Sequence, residues 1–247
     1  NSENNELNFS LKGDINFYVY LENSLNLKLI KDDLNEKEGS DKIDIALFDS
    51  KNNQICFDSL GDDGNQSKDL LPGSVEKSTS CTIQKEGVYI LRIYEEQDPI
   101  NGLTRDYLLK QLTINSNKIV AIDQVYSYNS LELYTDNNDA RQITFINRNQ
   151  EQPEQKIEFK GQENSSLTIA SKDQGKEVYH DLKTGLIKIT SSSGKVYISG
   201  SNFAFKAENL FNPEIFTLRD NPAANFTIIN NNSSDKSYIK QVSLEVK

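Results

Sequence analysis

The chain has 247 residues, a net charge of −10 at neutral pH and a hydrophobic content of 36 %. Its 11 tyrosines and 11 phenylalanines fall in strand-like patterns, so we expect a folded protein of about two domains. The acidic charge excludes nucleic acid and anionic membrane surfaces as expected partners, since both attract lysine and arginine. No apolar run is long enough for a membrane-spanning helix, so we expect no membrane insertion.

Short segments of alternating or continuous apolar residues, bounded by turn residues, predict β-strands. The segment 81–94 is central among them, because Gly87 begins a strand with apolar residues on both faces. The best helical candidate, residues 68–71, is stopped by Pro72 and Gly73. The predicted strands of the first half are residues 7–11, 15–21, 25–30, 43–48, 55–57, 81–83, 88–94 and 107–114.

The strand pattern of the first half begins again after residue 118, which predicts an internal repeat. The offset between matching residues falls across the cysteine-bounded loop, so we expect the second copy to lack much of that loop, together with both cysteines. The matches are Val19 with Leu133, Ile45 with Ile157, Gly87 with Gly185 and 107–110 with 203–206, at offsets of 114, 112, 98 and 96 residues.

These patterns predict an all-β protein of tandem antiparallel β-sandwiches, of the jelly-roll or immunoglobulin-like kind. We expect a first sandwich with a disulfide-bounded loop over residues 1–118 and a second sandwich over residues 119–212. Residues 213–247 supply further strands. These complete the second sandwich, form half of a third module, or exchange onto a neighbouring molecule, and the sequence leaves all three arrangements open.

Cys56 and Cys81 are the only cysteines, and they flank a polar loop that contains glycine. An even count around a long loop predicts a disulfide rather than two free thiols. A disulfide implies an oxidising compartment, so we expect an extracellular or cell-surface location. Asn-X-Ser/Thr motifs, which are glycosylation sites in a host that uses them, begin at Asn8, Asn65, Asn164, Asn225, Asn231 and Asn232.

Three segments carry a resemblance to a known family: Asp44-Ile45-Ala46-Leu47-Phe48-Asp49, Glu86-Gly87-Val88-Tyr89-Ile90-Leu91-Arg92-Ile93-Tyr94 and Tyr107-Leu108-Leu109. Through them, residues 43–114 resemble the bacterial pre-peptidase C-terminal domain, a small β-sandwich attached to secreted proteases and other surface proteins. The resemblance implies an accessory binding or spacer role without catalysis. The repeats are also similar in a general way to immunoglobulin-like modules of prokaryotic surface layers and filaments, especially in Phe226-Thr227-Ile228-Ile229-Asn230.

Residue types that support catalysis are sparse. His180 is the only histidine, and no Gly-X-Ser-X-Gly nucleophile elbow accompanies it, so we expect a strand-end histidine and no enzymatic activity. A zinc site would need more ligands than one histidine and two paired cysteines provide.

Oxygen-bearing side chains crowd into the cysteine-bounded loop, and Ca²⁺ binds about six to eight such oxygens. A solvated, charged loop is the simpler interpretation, and a weak extracellular calcium site is the alternative. Calcium is therefore the one candidate cofactor. The candidate ligands are Asp58, Asp62, Asp63, Asn65 and Asp69.

Two functions remain. We expect an extracellular structural or adhesive surface protein, whose sandwiches act as spacers or assemble into a filament or surface layer through self-association or contact with other cell-surface proteins. The alternative is the non-catalytic accessory region of a secreted enzyme, which binds carbohydrate or protein. A carbohydrate site needs exposed aromatic side chains, and the candidates are Tyr18, Tyr20, Tyr126, Tyr128 and Tyr134.

Overall fold

The structure is a computed structural model that describes residues 4–37, 40–64, 73–95, 105–137, 141–161, 164–214, 224–229 and 241–246. It is all-β, as predicted, and the strand pairs in these ranges are antiparallel. The predicted helical candidate, residues 68–71, lies outside the described residues.

Nine strands come from the first half of the chain. Most of them alternate buried and exposed side chains, as in β2, where Ile15, Phe17 and Val19 point inward. The strands are β1 (Asn5–Lys12), β2 (Ile15–Leu21), β3 (Ser24–Asp33), β4 (Ile43–Phe48), β5 (Gln54–Leu60), β6 (Gly73–Thr82), β7 (Gly87–Glu95), β8 (Tyr107–Ile114) and β9 (Ile119–Ala121).

Eight strands follow in the second half, with single 3₁₀ turns at Ser171–Asp173 and Ala207–Asn209. The strands are β10 (Gln124–Ser127), β11 (Glu132–Asn137), β12 (Gln142–Asn147), β13 (Gln155–Gly161), β14 (Ser165–Ile169), β15 (Glu177–Asp181), β16 (Gly185–Ser191) and β17 (Val196–Ser199).

These strands build two sandwiches that share one sheet. The shared sheet has eight strands in the order β15-β12-β17-β10-β1-β8-β3-β6. A five-stranded sheet, β5-β4-β7-β2-β9, belongs to the first sandwich, and a four-stranded sheet, β11-β16-β13-β14, belongs to the second. Their buried side chains form one contiguous core, which includes Leu29, Leu91, Phe145 and Ile189.

The predicted repeat is confirmed by the strand orders. In the first sandwich they are β6-β3-β8-β1 and β5-β4-β7-β2, and in the second β15-β12-β17-β10 and β14-β13-β16-β11. The connection is also shorter in the second copy, because β5 and β6 are joined by residues 61–72 whereas β14 and β15 are joined by residues 170–176.

Two predicted matches within the repeat are wrong. The first is Val19 with Leu133: Val19 pairs with Tyr89, and the counterpart of Tyr89, Ile187, pairs with Thr135, so the predicted register is off by two residues.

The second wrong match is that of residues 203–206 with 107–110, because β17 holds the position that β8 holds in the first copy. Phe203 and Ala204 instead take the place of β9: Ala204 pairs with Tyr134 of β11, as β9 pairs with β2. The short aromatic and apolar pattern of residues 203–206 fits the sequence of β8, although these residues take the place of β9.

The two sandwiches are fused rather than joined by a free linker. Leu11 of β1 pairs with Ser127 of β10, and the backbone N–H of Tyr128 donates to the Ser10 carbonyl at 2.7 Å. Phe203 pairs with Ala121 of β9 as well, so the end of the second copy is bound to the first. Both sandwiches therefore belong to one compact unit, residues 1–211.

The tail contains two further strands, β18 (Ala224–Ile229) and β19 (Gln241–Val246), which form a two-stranded antiparallel sheet. Residues 1–211 and 212–247 make two compact units. The predicted domain limits and the three arrangements of the tail stay predictions.

Truncation after Phe211 tests these arrangements. Because the contiguous core of the described residues runs from Leu7 to Phe203, we expect residues 1–211 to keep the thermal unfolding midpoint of the full chain within about 2 °C. The measurement is differential scanning calorimetry of both forms. A fall of more than about 5 °C would support completion of the second sandwich by the tail instead.

Candidate functional site

The predicted disulfide between Cys56 and Cys81 is present, with the Cα atoms 6.3 Å apart. Cys56 lies on β5 and Cys81 on β6, which are edge strands of the five-stranded and the eight-stranded sheet, so the bond joins the two sheets of the first sandwich. It is consistent with an extracellular location.

Asp58 strengthens the same edge. Its carboxylate accepts a hydrogen bond from Thr79 Oγ1 at 2.7 Å and pairs with Lys77 Nζ at 3.0 Å, and both partners lie on β6. Burial acts to raise the pKa of Asp58, but the hydrogen bonds from Thr79, Lys77 and Ser59 together hold that pKa below its usual value. Asp58, a predicted calcium ligand, is therefore engaged in cross-sheet contacts.

Two of the predicted calcium ligands, Asp62 and Asp63, come together with a residue that sequence reasoning missed. Ligand oxygens of Asp33, Asp62 and Asp63 all lie within 4.8 Å of one another. Asp33 is fully buried, and Asp62 Oδ1 is a buried oxygen without a hydrogen-bond partner in the described part of the chain. Asn65 and Asp69 fall outside the described residues.

A lysine supplies positive charge inside this cluster. Lys31 is fully buried, and its ammonium group pairs with Asp33 and donates to the Asp41 carbonyl at 2.6 Å. The Asp63 backbone N–H donates to Asp33 Oδ2 at 2.8 Å. Burial raises the pKa of Asp33, and the ion pair with Lys31 and the hydrogen bond from the Asp63 backbone oppose that rise.

The cluster can thus act as an internal ion pair that fixes the end of β3, or as three oxygen ligands for a cation. The first role needs no further group, because Lys31 already compensates the most buried carboxylate. Calcium binding here stays a prediction.

His180 is placed in the second sandwich. Its ring stacks on that of Phe159, with centroids 4.0 Å apart and planes 9° apart. The neighbouring Asp181 points to the other face of β15, where it accepts a hydrogen bond from Gln142 at 3.0 Å. This histidine and aspartate therefore do not form a catalytic pair.

Two predicted glycosylation sites lie at exposed positions of the described chain, Asn8 on β1 and Asn164 just before β14. Asn225 lies in β18, and Asn65, Asn231 and Asn232 fall outside the described residues.

The outer face of the five-stranded sheet is unusually apolar. Phe48, Ile90 and Tyr18 lie side by side on β4, β7 and β2, and Val88 follows on the same face of β7. Phe57, at the edge on β5, is 52 % exposed. We call these five residues the apolar face.

The same positions in the second sandwich are charged. The row that corresponds to Phe48, Ile90 and Tyr18 contains Lys160, Lys188 and Tyr134. Lys188 pairs with Glu132 at 2.7 Å, and Glu132 also accepts a hydrogen bond from Tyr134 at 2.6 Å. One repeat therefore solvates this face with ion pairs, whereas the other leaves it apolar.

Of the remaining candidate tyrosines, Tyr20 borders the apolar face. Its hydroxyl donates to Glu86, and Lys118 Nζ lies 4.6 Å from its ring centroid. Tyr126 and Tyr128 lie at the junction of the two sandwiches.

No helix among the described residues is long and apolar enough to cross a membrane. Comparison of the chain with protein-family models, curated proteins and solved structures found no match.

Proposed function

We propose that this protein is an extracellular structural or adhesive surface protein without enzymatic activity, and that the apolar face associates with a second copy of the chain. The single observation that carries this proposal is the contrast between the two repeats. Ile90 stands in the first where Lys188 stands in the second, on the same strand framework. The second repeat forms the same sheet with ion pairs on this face, so apolar residues are not needed there for folding. The apolar face of the first repeat therefore serves contact with another molecule.

The charge of the chain limits where two copies can meet and leaves this face as the favoured place. Two molecules of net charge −10 repel each other over most of their surfaces. On the apolar face the charged neighbours cancel, because Arg92 and Asp44 lie on the same side of the sheet. Arg92 Cζ lies 4.3 Å from the centroid of the Phe48 ring, and the guanidinium donates to Asn52 at 2.8 Å. The guanidinium therefore already has partners within the chain.

The arrangement of the face fits this role, because its five residues lie on four neighbouring strands of one sheet, in the order β5, β4, β7 and β2. Two such faces packed together resemble the two sheets of a sandwich. Because identical surfaces pair about a two-fold axis, the contact closes at a dimer. A filament or surface layer would need a second contact, for which the tail strands are the candidates.

The test is sedimentation equilibrium of the full chain and of variants that give the first repeat the residues of the second. We expect Ile90→Lys and Phe57→Ser each to raise the dimer dissociation constant by about tenfold or more. The matched control is Leu186→Lys, because Leu186 is the counterpart of Val88 and is 47 % exposed in the second sandwich.

A loss of association in Phe57→Ser cannot be attributed to misfolding, since Phe57 is half exposed on an edge strand and its replacement leaves the core intact. A full chain that stays monomeric at every concentration would overturn the proposal. So would a loss of association in Leu186→Lys equal to that in Ile90→Lys.

A further inference from the structure

A groove lies between the two sandwiches, with a volume of about 980 Å³. One wall is an end of the first sandwich, formed by the β1–β2 turn and the residues before β8. The floor is the outer face of the eight-stranded sheet in the second sandwich. Since the sandwiches are fused by strand pairing, both sides of the groove are held in place.

The floor of the groove is aromatic. Tyr126 and Tyr197 lie directly opposite each other on β10 and β17, with ring centroids 6.5 Å apart and planes at 48°. Ile146 follows on β12 beside Tyr197. The Tyr197 hydroxyl donates to Gln124, so the floor has a polar rim next to apolar ring surface.

The walls are cationic, which is unexpected in a chain of net charge −10. Four cations line the groove against two carboxylates, and they are Lys12, Lys37, Arg105 and Arg148 against Asp14 and Glu177. A local excess of positive charge attracts anions into a groove with low-dielectric walls.

Some of these cations already have partners. Lys12 pairs with Glu36 at 3.1 Å, and Arg105 lies 3.6 Å from Asp14. Arg148 is exposed, and within the part of the chain that the structure describes its guanidinium has no hydrogen bond or ion pair. Arg148 is thus the group best placed to bind a ligand anion in a bidentate manner.

The pKa values of the two floor tyrosines depend on the charges of nearby wall residues. Burial raises the pKa of Tyr126; the charge of Arg148 opposes that rise, and the charge of Glu36 adds to it. Burial likewise raises the pKa of Tyr197; the charge of Asp123 adds to that rise, and the charge of Arg105 opposes it. Both arginines therefore act on the aromatic floor from the walls.

We infer that this groove binds an acidic saccharide, a chain of sugar rings that carries carboxylate or sulfate groups. A sugar ring presents an apolar C–H face and a hydroxyl rim, which match the tyrosine rings and the rim at Gln124. Its anionic groups pair with Arg148 and Arg105. A neutral saccharide would leave the arginines unused, and a short acidic peptide would leave the aromatic floor unused.

The test is isothermal titration of the full chain with four probes at low and at physiological ionic strength. The probes are a galacturonate hexasaccharide, a heparin hexasaccharide, neutral cellohexaose and hexaglutamate. We expect one or both acidic saccharides to bind at least about tenfold more tightly than the other two probes, with affinity that falls as salt is added. The stronger of the two identifies the carboxylated or the sulfated source.

Variants locate the binding. We expect Arg148→Ala to weaken acidic-saccharide binding by about tenfold, and Tyr126→Leu by about three- to tenfold. Lys160→Ala is the control, because it removes one positive charge that is 65 % exposed on the outer face of the four-stranded sheet. We expect its affinity to be unchanged.

Binding of cellohexaose as tight as that of the acidic saccharides would overturn the inference. So would hexaglutamate binding that is equally tight and equally sensitive to Arg148→Ala, which would indicate an acidic peptide. Absence of any binding at low ionic strength, or equal losses in Arg148→Ala and Lys160→Ala, would overturn it as well. None of these outcomes depends on self-association through the apolar face.

Discussion

Replacing Lys31 by methionine is expected to lower the free energy of unfolding by about 3–5 kcal/mol, because it leaves a buried carboxylate without its counter-charge. Lys31 and Asp33 are both fully buried, and the lysine ammonium also serves the Asp41 carbonyl. Methionine fills a similar volume, so the loss reports charge and hydrogen bonding rather than a cavity. Chemical denaturation with a two-state fit measures it.

The pH dependence separates this cause from a packing defect. Burial already raises the pKa of Asp33 and Lys31 opposes that rise, so the variant raises the pKa further. A carboxyl group whose folded pKa is raised binds more protons when folded, so stability falls as pH rises from the unfolded value of about 3.9 through the folded value. The deficit of Lys31→Met should therefore be small near pH 4 and full near pH 8.

Lys156→Met is the matched control. Lys156 pairs with Glu158 at 2.7 Å, but its side chain is 54 % exposed, so we expect a loss below about 0.5 kcal/mol. A deficit in Lys31→Met that is no larger than in the control would contradict the structural role of the buried pair. A large loss of stability in Lys31→Met that does not change with pH would show that the loss comes from packing rather than from charge.

The strands of the first half could be predicted from the sequence because most of them alternate apolar and polar residues. β2 and β4 were predicted with their observed limits, and β7 within one residue at each end. The exceptions are β9, which was not predicted, and β6, of which only the end near Cys81 was predicted. The sequence of β6, Gly-Ser-Val-Glu-Lys-Ser-Thr-Ser-Cys-Thr, is polar because half of its residues are exposed at the edge of a sheet and only Thr79 is buried.

The acidic cluster could be predicted only in part. The loop residues Asp62 and Asp63 were predicted as candidate ligands, because polar residues crowd into that loop. Asp33 was missed, since it follows Lys31 in a run that reads as a polar turn. Burial of charged residues depends on which distant segment covers them, and here the loop after β5 folds over the end of β3. The available signal was the spacing of Lys31 and Asp33, because residues two apart in a strand lie on the same face and can form an ion pair.

The surfaces that carry both proposals also depend on the tertiary fold. Each tyrosine of the groove lies on a strand of ordinary alternation, and its neighbour Arg148 follows a different strand. Only the strand order β12-β17-β10 brings them together. The apolar face is visible in sequence only after the two repeats are placed in register, which shows Ile90 opposite Phe48 where Lys188 lies opposite Lys160.

Removing the disulfide is the second change with a large expected effect. The bond closes a loop with a sequence separation of 25, so we expect Cys56→Ser with Cys81→Ser to lower the free energy of unfolding by about 3.5 kcal/mol in the chain-entropy estimate. For a cooperative unit of this size, the thermal midpoint should fall by roughly 7–14 °C. Scanning calorimetry of the double variant and of the reduced wild type measures the effect.

The position of the bond predicts where the structure loosens. The disulfide ties edge strand β5 to edge strand β6, so amide hydrogens there should lose protection from exchange, while those of β14 and β15 in the second sandwich should keep it. Asp58 supplies a further cross-link through Thr79 and Lys77, so adding Asp58→Asn should cost more in the double variant than in the disulfide-bonded protein. Equal loss of protection in both sandwiches would mean that the bond stabilises the whole fused body rather than one edge. Two alkylatable thiols in the folded native protein would show that the bond does not form.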